Sequence, residues 1–232
     1  TDEEPLRLVL SLSVGSFAEV RPEAGAVTAG VGVCLAPLIR SLAERGCCDL
    51  AMAPLAWIPA SLGGALRMNA GAQGAAIGDY VLEVSGVRLD GSAWQARGNE
   101  IHWRYRRCDI PADVLITAAR LRCGTAPPQE ALAALAAAGS WRRSAQPPGR
   151  SGGCVFRNPP EGPAGRLLDE AGCKGLRRGS LRVSEHHANF IVNDAPVASE
   201  KDMRDLVEAC RERVRGRFGV VLEDELCWCA AP

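Results

Sequence analysis

SGGCVFRNPP, residues 151–160, sets a thiol between two glycines and an aromatic ring, then adds an arginine, an asparagine and two prolines. Glycines let a backbone or a ligand approach closely, and prolines end any regular element that runs into them. Cys154 is therefore either one more packed thiol or a group that the chain presents to something. The choice depends on what surrounds it.

Immediately upstream, residues 144–153 (SAQPPGRSGG) read as a loop, and before them the run EALAALAAAG is a helix by propensity. The composition shifts at residues 124–128, which places a boundary between domains at 1–124 and 125–232. In the first part Leu6, Leu8, Leu10, Leu12 and Val14 alternate as in a half-buried strand. Leu35, Leu38, Ile39 and Leu42 recur at helical spacing, and Gly46 stops that helix. Residues 54–78, dense in Gly and Ala, read as irregular. Asp90-Gly91 marks a hairpin, and 114–121 is a strand. In the second part a helix from AGRLLDEAGCKG ends at Gly172 or Gly175, HHANFIVND holds a short strand, and Ser199 caps a final helix. That helix carries Met203, Leu206, Val207, Cys210 and Val214 on one face. The fold class is α+β.

Bulk properties exclude several classes of function. Lys+Arg and Asp+Glu both number 27 among 232 residues, so no net charge points to nucleic acid or a membrane surface. No apolar run reaches spanning length and no signal peptide is recognisable; the opening Thr1 leads us to expect further sequence upstream. The 10 cysteines form no Cys-x-x-Cys pair and His102, His186 and His187 are not at finger spacing from them, so no metal site is expected. They read as reduced thiols acting as small hydrophobes.

Three further places merit chemistry. Residues 58–74, IPASLGGALRMNAGAQG, hold too many small residues for a core strand or stable helix. Such a run either offers backbone N–H groups to an extended anion or forms a tightly packed turn. Tyr105 and Arg106 in WRYRRCD are either a charged surface hairpin or an aromatic-cation pair at a site. Glu225 in LEDELCW, a carboxylate in an apolar strand-like context, is either a strand-end surface group or part of a site.

Taken in order, IPASLGGALRMNAGAQG, YRRC, GGCVFRNP, AGRLLDEAGCKG, VSEHHANFIVN and RFGVVLEDEL resemble the UDP-N-acetylenolpyruvoylglucosamine reductase (MurB) family of flavoenzymes. The resemblance runs from about residue 25 to 228 and is strongest over 152–193. It implies the second half of a vanillyl-alcohol-oxidase/PCMH-type FAD-binding domain followed by a C-terminal α+β substrate domain. It also implies an enzyme of peptidoglycan precursor synthesis, and so of cell-wall biogenesis, cell shape and division. NADPH and FAD would serve as cofactors, UDP-N-acetylglucosamine enolpyruvate as substrate and UDP-N-acetylmuramate as product. A cytoplasmic monomer is expected, with no nucleic-acid partner and no membrane insertion.

Residue by residue, the resemblance makes Arg106 and Glu225 stabilisers of the enolic intermediate and Cys154 the proton donor, where the family mostly has serine. Ile58, Pro59, Ser61, Gly63, Gly64, Asn69 and Gly71 would line the cofactor; Tyr105, Gln146, Asn158, His187 and Asn189 would contact substrate. A thiol titrates near ~8.5 in model peptides, far below an aliphatic hydroxyl, so the exchange keeps a competent acid. The departures fall on the flavin side. The family's Gly-Gly-Gly-Ser-Asn-like loop has no counterpart, so most of the first FAD subdomain is expected to be missing. WIPA puts Trp57 and Ala60 where small residues keep the backbone near flavin, and Gln73 replaces a Tyr. The alternative to an active reductase is a catalytically impaired paralogue or fragment that binds UDP-muramoyl-type nucleotides without redox activity.

Overall fold

The structure, a computed structural model, describes residue 12 and residues 14–228. The strand expected from Leu6 to Val14 falls largely outside them. Two compact units divide the chain, Thr1–Ser140 and Trp141–Pro232. The division lies later than the composition shift at 124–128, because Ala131 and Leu135 of the Ala-rich helix are buried in the first unit's core.

In the first unit, strands β1 (Val20–Glu23) and β2 (Ala26–Gly30) lead into helix α1 (Leu35–Glu44). Leu35, Leu38, Ile39, Leu42 and Ala43 are its buried stripe, as their spacing requires, and Gly46 follows with a left-handed φ of +69°. Next come helix α2 (Leu62–Arg67), the short hairpin β3 (Gly71–Ala72) and β4 (Ala75–Ala76), and strands β5 (Val81–Arg88), β6 (Ala93–Arg97) and β7 (Val114–Arg122). Helix α3 (Pro128–Ala145) begins in this unit. The main sheet is antiparallel, in the order β1-β2-β7-β5-β6.

Residues 54–78 correct the expectation of irregular chain. Ser61 caps α2 by accepting the Gly64 N–H, and Leu62, Ala65 and Leu66 bury one face in the core. Packing on that face outweighs the poor intrinsic propensity of two glycines. Trp57 is also accounted for. Its indole Nε1 donates to the Leu135 carbonyl at 2.8 Å, and a Cβ on Gly139 would lie 2.2 Å from the ring. The indole is docked into a notch on α3 that only glycine leaves open.

The second unit holds β8 (Arg150–Cys154), α4 (Ala164–Glu170), β9 (Arg177–Arg178), β10 (Leu181–Val183), β11 (Phe190–Asn193) and α5 (Glu200–Phe218). Its sheet is antiparallel in the order β8-β11-β10-β9. Helix α4 stops before Gly172, which adopts φ +69°. Ser199 caps α5 through the Asp202 N–H, and Leu206, Val207, Cys210 and Val214 are buried together with α4 and β10 residues. Cys48, Cys173 and Cys210 are buried core thiols, and burial pushes Cys48 up to about 11. Cys210 is pushed up as well, by its contact with Cys173 and by burial, so Cys48 and Cys210 stay protonated at neutral pH.

Candidate active site

The glycines before Cys154 build a β-bulge. Cys154 pairs with Phe190 and Ser151 with Val192, so Ile191 alone faces both Gly152 and Gly153. Gly153 takes φ +86°, a conformation that a side chain would strain. A bulge bends its strand and re-aims the next side chain, and here that side chain is the half-buried thiol of Cys154.

Asn189 holds the following residues in place. Its amide makes a two-point clamp on the backbone of one residue, Oδ1 accepting from Phe156 N–H at 2.9 Å and Nδ2 donating to Phe156 O at 2.8 Å. Its own carbonyl accepts the Val155 N–H, and the residue is 2% exposed. The amide is thereby enclosed and engaged by the fold, where it fixes the chain beyond Cys154.

Cys154 and Glu225 are brought together through the backbone. Phe156 bridges to Asp224, the Glu225 N–H donates to Val155 O at 2.8 Å, and the Arg157 N–H donates to Glu223 O at 2.9 Å. Glu225 lies in irregular chain and not in the strand its apolar surroundings suggest; its neighbour Asp224 forms the bridge to β8's continuation. Arg211 on α5 secures the same segment, bonding the Leu222 carbonyl and pairing with Asp224 at 2.5 Å. Trp228 Nε1 donates to the other Asp224 oxygen, and Arg204 lies over the Trp228 ring. One residue near the thiol escaped sequence reading. Burial lowers the Arg142 guanidinium below the usual arginine range while Cys154 acts in the opposite sense, so the two are within electrostatic reach. The only sequence signal for Arg142 was its place in the last turn of α3.

Around this pair, Asn158 Oδ1 accepts the Ala164 N–H at the start of α4. Gln146 is half-buried just beyond α3. His187 is half-buried, edge-on to Phe190, and its Nδ1 accepts the Asn189 N–H. That bond assigns the N–H to Nε2 and keeps the ring neutral. Burial depresses the His187 pKa, with His186 and Lys174 adding to the effect. The unfolded chain then binds more protons than the folded one below about pH 6.5, so folding stability falls as pH drops through that value. Urea midpoints at pH 7.5 and 5.5 should show this loss, and His187→Gln should reduce it.

The first unit holds the other candidates. Arg104 and Arg107 exchange N–H···O bonds of 3.0 and 3.2 Å, so Tyr105 and Arg106 form the tip of a two-residue turn. Arg106 is left-handed at φ +56°, and its guanidinium stacks 4.8 Å over the Tyr105 ring. This is a surface hairpin, and a strained one.

Several N–H groups of the run 58–74 are used within the fold. Leu62 and Gly63 donate to Val33 O and Val31 O, Gly64 to Ser61 Oγ, and Ala65 to Ser61 O. Gly71 has a different use, since a Cβ there would lie 2.6 Å from Ala75 O across the β3–β4 hairpin. Ile58 closes the turn before Pro59, its N–H bonded to Leu55 O. Gly63 and Gly64 do border a cleft of about 290 Å³, with Val31, Ile116 and Arg67. Its walls are mainly glycine and aliphatic, with Ser61 and Arg67 as the polar members. Asn69 is 7% exposed, with both side-chain ends bonded to backbone.

Among the described residues no helix is long and apolar enough to cross a membrane. The C-terminal domain model of UDP-N-acetylenolpyruvoylglucosamine reductase matches residues 145–229, and an FAD binding domain model matches residues 4–97. A UDP-N-acetylenolpyruvoylglucosamine reductase of a Bradyrhizobium species is 35% identical over 222 residues, covering 94% of this chain and 71% of that one. One from Methylorubrum extorquens is 37% identical over 221 residues, covering 94% and 70%. The crystal structure of the Thermus caldophilus protein of the same name superposes with a TM-score of 0.77 at 33% identity, covering 94% of this chain and 75% of that one.

Proposed function

The chain belongs to the UDP-N-acetylenolpyruvoylglucosamine reductase family, and on that premise we propose that it reduces UDP-N-acetylglucosamine enolpyruvate to UDP-N-acetylmuramate with NADPH and FAD. It would do so in the cytoplasm, as a step of peptidoglycan precursor synthesis. The observation that carries the reading is the bulge at Gly152–Gly153, which re-aims Cys154 beside a backbone pair with Glu225.

Bound FAD supplies to substrate C3 a hydride that originates in NADPH. The cleft bordered by Gly63, Gly64, Val31 and Ile116 would hold its ring system. Addition at C3 drives negative charge onto C2 and the adjoining carboxylate, so the protein must present groups that favour that charge. Arg106 supplies a fixed cation, and Glu225 completes the hydrogen bonding of the enolic species. Cys154 donates the thiol proton to C2, so that C3 has gained hydride and C2 a proton; solvent then reprotonates the thiolate. The nearby Arg142 cation lowers the cost of that thiolate. Tyr105, which carries the Arg106 guanidinium on its ring, with Gln146, Asn158 and His187, contributes to nucleotide binding.

The test is NADPH oxidation by the purified protein with added FAD. It should proceed only when UDP-N-acetylglucosamine enolpyruvate is present and should yield UDP-N-acetylmuramate. Oxidation that is indifferent to the nucleotide would overturn the reading.

A further inference from the structure

We infer that Asn69 is a positioning residue for Arg106. The buried asparagine fastens the strained turn that presents the guanidinium, and the MNAG run, residues 68–71, serves the substrate side of the reaction. The inference rests on the reductase reading of Arg106.

Asn69 follows α2 and takes φ +39°, which asparagine tolerates better than most side chains. Its Nδ2 donates to Arg104 O at 3.0 Å, and its Oδ1 accepts the Gly78 N–H at 3.0 Å. Arg104 O also accepts the Arg107 N–H, so this one carbonyl closes the Tyr105–Arg106 turn and anchors it to the body of the unit. A Cβ on Gly78 would lie 2.6 Å from the Trp103 ring and 2.9 Å from Asn69 Oδ1. Asn69, Gly78 and Trp103 thus form a packed buttress, which Trp103 Nε1 extends to Gly98 O at 2.9 Å.

The far arm of the turn is fastened to the same short helix. Cys108 Sγ donates to Arg67 O, and Arg67 bonds the carbonyls of Ile110, Pro111 and Val114. An exposed clasp links the two arms outside the turn, with the Asp109 carboxylate meeting both the N–H and Nδ1 of His102. A left-handed arginine persists only where its surroundings over-determine it. Without the Asn69 bond the turn is free to relax toward negative φ, and the Arg106 Cα–Cβ direction swings with it.

The test uses two variants of the full chain. Asn69→Gly keeps the backbone conformation and removes both side-chain bonds. Asn69→Asp keeps the acceptor for Gly78 but sets an oxygen against Arg104 O. In both, FAD affinity and flavin reduction by NADPH should stay within about threefold of wild type, while flavin reoxidation by saturating enolpyruvyl nucleotide falls about 10- to 100-fold. Amide exchange at Arg104 and Arg107 should accelerate by about tenfold or more. In an Arg106→Ala background Asn69→Gly should cost nothing further in reoxidation, the non-additivity of residues acting through one group.

Loss of FAD affinity with an unchanged substrate step would overturn the inference and make Asn69 a cofactor ligand. Full additivity with Arg106→Ala, or unaltered exchange, would also overturn it. Should the wild-type chain fail to use the nucleotide, the reductase reading fails, and exchange at Arg104 and Arg107 alone decides whether Asn69 fastens the turn.

Discussion

Cys154→Ala should lower flavin reoxidation by the enolpyruvyl nucleotide by about 10²- to 10⁴-fold, the usual contribution of a positioned general acid. Flavin reduction by NADPH should remain within about twofold, because no proton from this thiol is needed in that half-reaction. Cys154→Ser should retain most of the activity, since a hydroxyl on the same bulge meets the same carbon. The thiol is set at the end of β8 by Gly153 at φ +86° and by the Asn189 clamp just beyond it. Both supports act on backbone, one as the Gly153 conformation and the other as the bonds of Asn189 to Phe156, so both substitutions should leave the backbone intact. Equal loss in both half-reactions would show that the thiol is structural. Single-turnover absorbance changes with each reactant in turn separate the outcomes.

Asn189→Ala should be strongly destabilising. It removes the side-chain partners of the Phe156 N–H and C=O in a site that is 2% exposed. An unsatisfied buried donor or acceptor costs about 1–3 kcal/mol, and two together should lower stability by about 2–5 kcal/mol. Asn158→Ala removes one cap from an exposed side chain and should cost only about 1 kcal/mol. Urea denaturation followed by circular dichroism compares the two. If Asn189→Ala were no worse than Asn158→Ala, the clamp would carry none of the stability assigned to it. At the remaining folded fraction, Asn189→Ala should also slow reoxidation, since the clamp fixes the chain next to Cys154.

Periodicity and turn chemistry carried most of the fold. Helices α1 and α5 follow from stripes at i, i+3, i+4 and i+7, and the Asp90-Gly91 hairpin from the turn itself. Helix α2 did not follow, because its glycines speak against a helix while its burial speaks for one, and burial is invisible in a single sequence. For the candidate site, motifs that order residue types single out Cys154, Arg106 and Glu225, and the roles proposed for them rest on that resemblance. What sequence could not supply is the direction in which a polar side chain is used. Asn69 and Asn189 look like ligand contacts in a motif, yet both turn their amides onto backbone. Trp57 stands where the resemblance expects a small residue, and its docking against Gly139, distant in sequence, is seen only in the structure.

The visible absorbance of the purified protein, titrated with FAD, then reduced anaerobically by NADPH and finally mixed with UDP-N-acetylglucosamine enolpyruvate, tests the central claim most directly. The account predicts a protein-bound flavin spectrum that bleaches with NADPH and returns on adding the nucleotide, with UDP-N-acetylmuramate formed in equal amount. No bound flavin at saturating FAD, or a bleached flavin that the nucleotide fails to restore, would contradict it.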